Sequence, residues 1–383
     1  MSSSPSDPFR ALRHLQDDLG DLESAGLLRL PGARSGAASA TFQGATNFCS
    51  NDYLGLASEV ADVEAVEGGS GASRLISGDH AEHVALEREL ATWLGAPAAL
   101  TFSSGYAANV GALGCLLRPE DLVVSDRLNH ASLIDGIRLA KARPTVVDHL
   151  DLDATERALR APRPGRAWVV TESYFSMDGD GPNLRVLRNL CDRYDAALYV
   201  DEAHAVGVFG PAGRGLCAEA EVRADVSVVT FGKSLGTAGA AVVGPESLRL
   251  WLWNRARSFV FTTGPSPLVL RHTRRNLARV RAAEELRERL ASNAHLLRCG
   301  LRELGFEPGG FGPIVPVVLG DPAVAVRVSR ALVERGFLVS AIRPPTVPVG
   351  SARLRFTVTA RHSEAEIRGL LAALASVLGA STP

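Results

Sequence analysis

What most constrains this chain is a series of short, largely apolar segments separated by helix-like ones. The segments are 98–102, 122–125, 145–148, 167–171, 197–200, 226–230 and 240–243. Each has strand length and lacks polar–apolar alternation, as a sheet covered on both faces requires. Between two of them, Leu184, Leu187, Leu190 and Cys191 share one helical face, and Asp153 with Glu156 reads as a capping box. Just upstream, Leu86, Leu90, Trp93 and Leu94 line one face and Gly95 supplies a stop. Strands alternating with helices over this distance specify an α/β fold with a mainly parallel sheet.

After residue 265 the pattern changes. An Arg-rich helical stretch over 268–304 carries Leu290, Leu297, Leu301 and Leu304 at helical spacing. Strand-like runs follow at 314–319, 337–341 and 353–358, with a helix between the first two. A last helix has a Ser363/Glu366 capping box and an apolar face of Ile367, Leu370, Leu371, Leu374 and Leu378. This predicts a smaller C-terminal α+β domain. At the other end, 8–29 reads as an amphipathic helical arm and 32–45 as a loop rich in Gly, Ala and Ser. A chain of 383 residues exceeds what one core usually serves. The expected division is an arm over 1–45, a large domain over 46–262 and a small domain over 263–383.

A formal net charge of −1 gives no reason to expect a nucleic acid or a membrane surface as partner. No apolar run has spanning length, and the opening Met-Ser-Ser-Ser-Pro-Ser-Asp lacks the pattern of a secretory signal. Five scattered cysteines without a Cys-x-x-Cys pair point to reduced thiols in the cytoplasm, and no Cys/His cluster reads as a metal site.

Lys and Arg total 41, yet only Lys141 and Lys233 are lysines. Where arginine serves nearly every cationic position, a retained lysine draws attention to what an amine alone does: lose a proton and attack a carbonyl. Lys141 sits among Arg138, Arg143 and Pro144 and reads as solvated. Lys233 follows the strand-like run Val226–Thr230 in a Gly-flanked turn, Phe231-Gly232-Lys233-Ser234-Leu235-Gly236. It is either a surface lysine after a strand or a Schiff-base former. Asp201, in Tyr199-Val200-Asp201-Glu202-Ala203-His204, ends another buried strand, where open α/β sheets bind ligands. It is either a plain helix cap or the partner of a pyridinium nitrogen. Together with Lys233 it points to pyridoxal phosphate. The junction Phe102-Ser103-Ser104-Gly105-Tyr106 offers a helix N-terminus to a phosphate, an arrangement many α/β turns share.

The ordered set Ser104-Gly105-Tyr106, Asn129-His130-Ala131-Ser132, Phe175-Ser176-Met177-Asp178-Gly179-Asp180, Asp201-Glu202-Ala203-His204 and Thr230-Phe231-Gly232-Lys233 resembles the α-oxoamine synthases. The early run Asn47-Phe48-Cys49-Ser50-Asn51-Asp52-Tyr53-Leu54-Gly55-Leu56 fits the same family. The resemblance implies a fold-type-I, pyridoxal 5'-phosphate-dependent transferase and a homodimer with active sites between subunits. Within the family, Arg343-Pro344-Pro345-Thr346-Val347-Pro348 and Arg353-Leu354-Arg355 resemble members that condense L-alanine with a pimeloyl thioester, carried by CoA or a carrier protein, in making a biotin precursor.

The roles it implies are these. Lys233 would hold the cofactor and move the substrate's α-proton. Asp201 would pair with the ring nitrogen and His130 would stack on the ring. Ser176 and His204 would contact the phenolic oxygen, with Thr230 nearby. Gly105 and Tyr106 would seat the cofactor, and Thr262 and Thr263 would reach the partner's phosphate. Arg355 would clamp the amino acid carboxylate, Thr346 would touch the acyl substrate, and Arg29 and Asn51 would contact substrate. His130 is otherwise a satisfied core histidine, Ser176 a turn residue and Arg343 a surface charge. The stretch before Gly68 is shorter than the family usually has. Three alternatives stand beside this reading: a family member using glycine or serine with another acyl-CoA, an aminotransferase of the same fold, and a catalytically silent subunit. The run Arg271, Arg274, Arg275, Arg279 and Arg281 reads either as a docking face for an acidic carrier or as a solvated helix face.

Overall fold

The structure, a computed structural model, describes residues 12, 14–24, 28, 41–42, 44–58 and 66–379. It divides into two compact units, 1–36 and 37–383. In the first, helix α1 (His14–Ser24) exposes Leu15, Leu19 and Leu22. Arg29 and most of the remaining arm lie outside the described residues, as do 59–65 of the shortened stretch.

The second unit opens on a hairpin of β1 (Thr41–Phe42) and β2 (Ala45–Asn47), turned at Gly44 with φ 84°, where the composition suggested loop. Helix α2 (Ala81–Leu94) buries Leu86, Leu90 and Trp93 and ends at Gly95 with φ 68°, as expected. The alternating region then runs β3 (Ala98–Phe102), α3 (Gly105–Leu116), β4 (Leu122–Asp126), α4 (Ala131–Leu139), β5 (Pro144–Val147), α5 (Leu152–Leu159), β6 (Ala167–Glu172), α6 (Leu184–Arg193), β7 (Ala196–Asp201), α7 (Leu216–Glu219), β8 (Val226–Thr230) and β9 (Ala240–Gly244). These strands form one seven-stranded sheet in the order β3-β9-β8-β7-β6-β4-β5. Only β9 runs against its neighbours, so the sheet is mainly parallel. Helix α6 buries the predicted Leu184, Leu187, Leu190 and Cys191.

One local expectation changes. The cap of α5 is Asp151, whose carboxylate accepts the Ala154 N–H at 2.7 Å. Asp153 already lies inside the first turn, and Glu156 instead accepts from Arg160, Arg193 and the Tyr194 hydroxyl. In α3 the buried face is Ala108, Asn109, Ala112 and Leu113, while Val110 is half-buried. Small residues there let α3 pack closely on α4.

Beyond the sheet come α8 (Glu246–Arg255), α9 (Arg257–Val260), α10 (Pro267–Arg281), α11 (Glu284–Glu303), β10 (Ile314–Gly320), α12 (Pro322–Glu334), β11 (Phe337–Leu338), β12 (Ser340–Ile342), β13 (Ala352–Thr357) and α13 (Glu364–Gly379). The single Arg-rich helix expected over 268–304 breaks at Ala282 and Ala283. The run 337–341 also divides: β11 pairs with β2, and β12 with β13, about the buried Val339. Strands β10, β13 and β12 make an antiparallel sheet. The Ser363/Glu366 capping box forms at the start of α13. Arg271 and Arg274 turn toward α2, pairing with Glu82 and Glu89 at 2.6–2.7 Å. These two arginines therefore face an acidic neighbouring helix, and both charges of the pair hold Glu82 below the usual carboxylate range although burial opposes this. Among the described residues no helix is long and apolar enough to cross a membrane.

Candidate active site

The parallel strands β3, β4, β6, β7 and β8 all end on one edge of the sheet, and each is followed by a residue with chemistry. Ser104 and Gly105 follow β3, His130 follows β4, Glu172 ends β6, Asp201 ends β7, and Thr230 ends β8 just before Lys233. Arg355 arrives from β13 in the antiparallel sheet. These side chains line one cleft of about 600 Å³, together with Asn51, Tyr106, Ser176 and His204. Ten residues proposed from sequence thus meet in a single place.

Asp201 is held from two sides. Its Oδ2 accepts the Asn109 amide at 2.7 Å and its Oδ1 accepts the Ala203 N–H at 2.9 Å. Asn109 is itself oriented: the Tyr199 hydroxyl donates to its Oδ1 at 2.8 Å, and its Nδ2 also reaches Ser132 Oγ at 2.9 Å. Ser132 Oγ lies 2.7 Å from His130 Nδ1, and its backbone N–H also donates to that nitrogen. One chain of hydrogen bonds therefore runs from the buried Tyr199 to the acid and, through the buried Ser132, out to the imidazole. Burial holds His130 below the usual histidine value, with Lys233 adding to the effect and Asp201 opposing it. The neutral ring, accepting at Nδ1, carries its proton on Nε2.

Glu172 pairs in register with Asp201 across β6 and β7, and its carboxyl accepts the His130 backbone N–H at 2.7 Å. Complete burial, and then the neighbouring Asp201 charge, push Glu172 well above the usual carboxylate range. Burial lowers the Lys233 amine, and Arg355 lowers it further, against Asp201 and Glu172. Its Nζ donates to Thr230 Oγ1 at 3.4 Å. His204 Nδ1 meets the hydroxyl of the fully buried Tyr53 at 2.7 Å, and burial keeps His204 well below its ordinary pKa. Arg355 is fixed by Ser176 O at 2.6 Å, Thr357 Oγ1 at 2.9 Å and Asn51 Oδ1 at 3.1 Å.

The start of α3 closes the cleft on the β3 side. Ser104 Oγ accepts the Ala107 N–H, and the Ser104 carbonyl takes that of Ala108. Gly105 and Tyr106 supply the first N–H groups of the helix, which precede its own ladder. A Cβ at position 105 would lie 2.6 Å from Thr230 Cγ2, so any side chain there would displace Thr230. The Tyr106 ring is exposed, and its hydroxyl donates to Asp135 at 2.5 Å.

Thr346 does not line this cleft. It lines an adjoining groove of about 780 Å³ that shares His130, Ser176 and Met177 with it. Thr262 and Thr263 line neither space; they follow α9 beside the exposed Phe261. Arg29 lies outside the described residues. Lys141 is exposed just beyond α4, whereas Lys233 is half-buried in the cleft.

Sequence reasoning missed Asn109, Ser132, Tyr53 and Glu172 as site residues. Ser132 and Tyr53 stood inside the quoted motifs, and for Asn109 a polar residue on the buried face of a helix was a usable signal. Glu172 gave only its place at a strand end, a signal equally open to a structural acid.

The family described as "Aminotransferase class I and II" matches residues 43–374. An 8-amino-7-oxononanoate synthase of Methylococcus capsulatus is 49% identical over 343 residues, covering 87% of this chain and 89% of that protein. One of Geobacter sulfurreducens is 44% identical over 382 residues, covering 95% and 98%. Among solved structures, a variant of Serine Palmitoyltransferase from S. paucimobilis with a bound PLP–myriocin aldimine superposes with a TM-score of 0.88 at 29% identity, covering 98% of this chain and 99% of that one. The chain belongs to the aminotransferase class I and II family, among the 8-amino-7-oxononanoate synthases.

Proposed function

We propose that this chain is a pyridoxal phosphate-dependent acyltransferase that condenses L-alanine with a pimeloyl thioester to give 8-amino-7-oxononanoate, a step of biotin biosynthesis. The observation that carries this is the meeting, in one cleft, of an amine lowered by burial, a strand-end carboxylate, two neutral histidines and a fixed guanidinium, in a chain 49% identical to such a synthase.

The donor set fits the cofactor. A lysine able to lose its proton suits an aldehyde, Asp201 suits a ring nitrogen, and the bare N–H groups at the start of α3 suit a phosphate. When bound, pyridoxal phosphate supplies an electron sink for the bond-breaking at the amino acid's α-carbon. Lys233 would hold the cofactor through its Nζ, and the same amine, lowered by burial, is the group that would take the α-proton of alanine. Asp201, oriented by Asn109 and Ala203, holds the ring nitrogen. His130 would hold the ring by stacking, its own plane set by the double acceptance at Nδ1. Ser176, His204 and Thr230 gather at the ring oxygen. Arg355 clamps the alanine carboxylate through its planar fork, with Asn51 steadying that fork. A carbon–carbon bond forms between the alanine α-carbon and the acyl carbonyl carbon, the thiol leaves, and the former alanine carboxylate departs as carbon dioxide.

The acyl chain lies in the adjoining groove, where Thr346 touches it. Thr262 and Thr263 act on the cleft of a second copy, as a homodimer with shared sites requires. Arg29 contacts substrate from the N-terminal arm. The large and small domains meet near residue 262, and a cytoplasmic setting suits five unpaired cysteines. The deciding experiment is a product assay with purified protein, offering alanine, glycine and serine with pimeloyl-CoA, pimeloyl-carrier protein and short acyl-CoAs. Alanine with a pimeloyl donor is expected to turn over fastest. Faster turnover of glycine with a short acyl-CoA would overturn the assignment.

A further inference from the structure

His149 lines neither the cleft nor the groove, yet it bonds to Asp126 and Asp180, which adjoin in sequence the residues of the groove's two walls, and its ring packs on Phe175 of one of them. Its Nδ1 lies 3.0 and 3.1 Å from the two carboxylate oxygens of Asp126, and its Nε2 lies 3.1 and 3.3 Å from those of Asp180. The imidazole is thus a bar with a carboxylate at each end. Those carboxylates belong to the segments that lead into different walls. Asp126 ends β4, and its oxygens accept the Leu128 and Leu150 N–H groups at 2.8 and 2.9 Å. It therefore sets the path of the segment that runs through Leu128 to His130. Asp180 closes the opposite loop, where its carbonyl accepts the Phe175 N–H at 2.7 Å, around the turn that carries Ser176. The Phe175 ring packs edge-on against the imidazole at 4.6 Å.

The wall made by that loop is anchored on its far side as well. Arg353 pairs with Asp178 at 2.5 Å and Arg355 donates to Ser176 O. Both carboxylates favour the protonated ring, and His149 is raised to about 10 despite partial burial. A charged ring donates at both nitrogens, which is what a two-ended brace needs.

We propose that His149 is a positioning residue that sets the spacing between the two walls of the acyl groove, and with it the fit of the acyl thioester. The inference rests on the assignment of that groove to the acyl donor. It requires no contact between His149 and substrate.

The test compares holoenzyme of the wild type, His149→Gln, His149→Arg and Asp180→Asn. Each is assayed for KM with pimeloyl-CoA at saturating alanine. The alanine Kd is read separately, without acyl donor, from the visible absorbance of the bound cofactor. His149→Gln, which keeps the size of the side chain but not the two-ended charge, is expected to raise the thioester KM ~10-fold, since small misplacements of binding walls cost that much. The alanine Kd should stay within about twofold, because Arg355 keeps its own anchors. Asp180→Asn should raise the KM less, to ~3-fold, by weakening one arm. His149→Arg, able to span two carboxylates, should restore most of the loss. An unchanged thioester KM in both His149→Gln and Asp180→Asn overturns the proposal. A parallel rise in thioester KM and alanine Kd overturns it too, showing general loosening of the site. If the wild type is idle with pimeloyl donors, the donor assignment fails instead. The same comparison is then made with the acyl-CoA the wild type accepts, and the same two outcomes decide it.

Discussion

Two histidines stand close to pairs of carboxyl groups, and they sit in opposite protonation states. His149 bonds through its ring to Asp126 and Asp180 and is raised to about 10. His130 has Asp201 and Glu172 close by, yet is lowered. The contacts make the difference. His149 bonds directly to both of its acids, whereas the His130 ring bonds to the hydroxyl and N–H of Ser132, Asp201 accepts the Asn109 amide, Glu172 accepts the His130 backbone N–H, and burial lowers the ring. Nearby charge acts through distance, whereas a direct charge-assisted hydrogen bond stabilises the imidazolium itself. The reactive region thus keeps its histidines neutral, and the brace behind the groove keeps its histidine charged.

That contrast breaks first at the amine. Lys233→Ala should lower turnover by ~10⁴-fold or more and abolish the visible absorbance of bound cofactor, with little change in Tm. Retention of both would remove Lys233 from the chemistry. The two neighbouring carboxyl groups should then separate. Asp201→Asn is expected to lower kcat by ~10²-fold, because the position needs an acceptor for a protonated ring nitrogen. Glu172→Gln should cost under ~5-fold, since burial and the Asp201 charge already favour its neutral form and the amide still accepts the His130 N–H. Equal losses at the two positions would erase the distinction. Asn109→Ala, which leaves Asp201 and Ser132 without their shared donor, should lower kcat ~10-fold with a smaller change in alanine KM.

The smallest effect is on stability, and its sign differs between the regions. The folded pKa of His149 lies above the value of ~6.5 expected when unfolded. Its contribution is full below that value and fades as pH rises through about 10. His130 and His204 are lowered, so their contributions are present above ~6.5 and fade as pH falls toward their folded values. Urea melts of wild type and His149→Gln should therefore differ most near pH 6 and converge toward pH 10. Convergence on the acid side instead would contradict a charged brace.

Much of this was legible in the chain itself. The seven strands of the main sheet were placed within about two residues, because strands covered on both faces leave apolar runs that nothing else explains. Lys233 and Asp201 stood out at strand ends, where chemistry admits few residue types, His130 and His204 only through the family resemblance, and all four line one cleft. Caps and breaks were read less well. Asp153 looked like the cap of α5, but Asp151 has the extended backbone that lets a carboxylate turn back on the helix. The break at Ala282 and Ala283, and the division of 337–341 between two sheets, depend on partners far away in sequence.

The sequence by itself determined which groups are present and on which edge of the sheet they gather, since strand direction follows from the alternation of elements. Only the tertiary structure decided how each group is charged and held. Glu172 beside Asp201, Asn109 between Tyr199 and the acid, Tyr53 against His204, and His149 between two loops are all contacts over long separations. Protonation depends on burial and on which neighbour makes the hydrogen bond, and those are set by packing in three dimensions rather than by spacing along a chain.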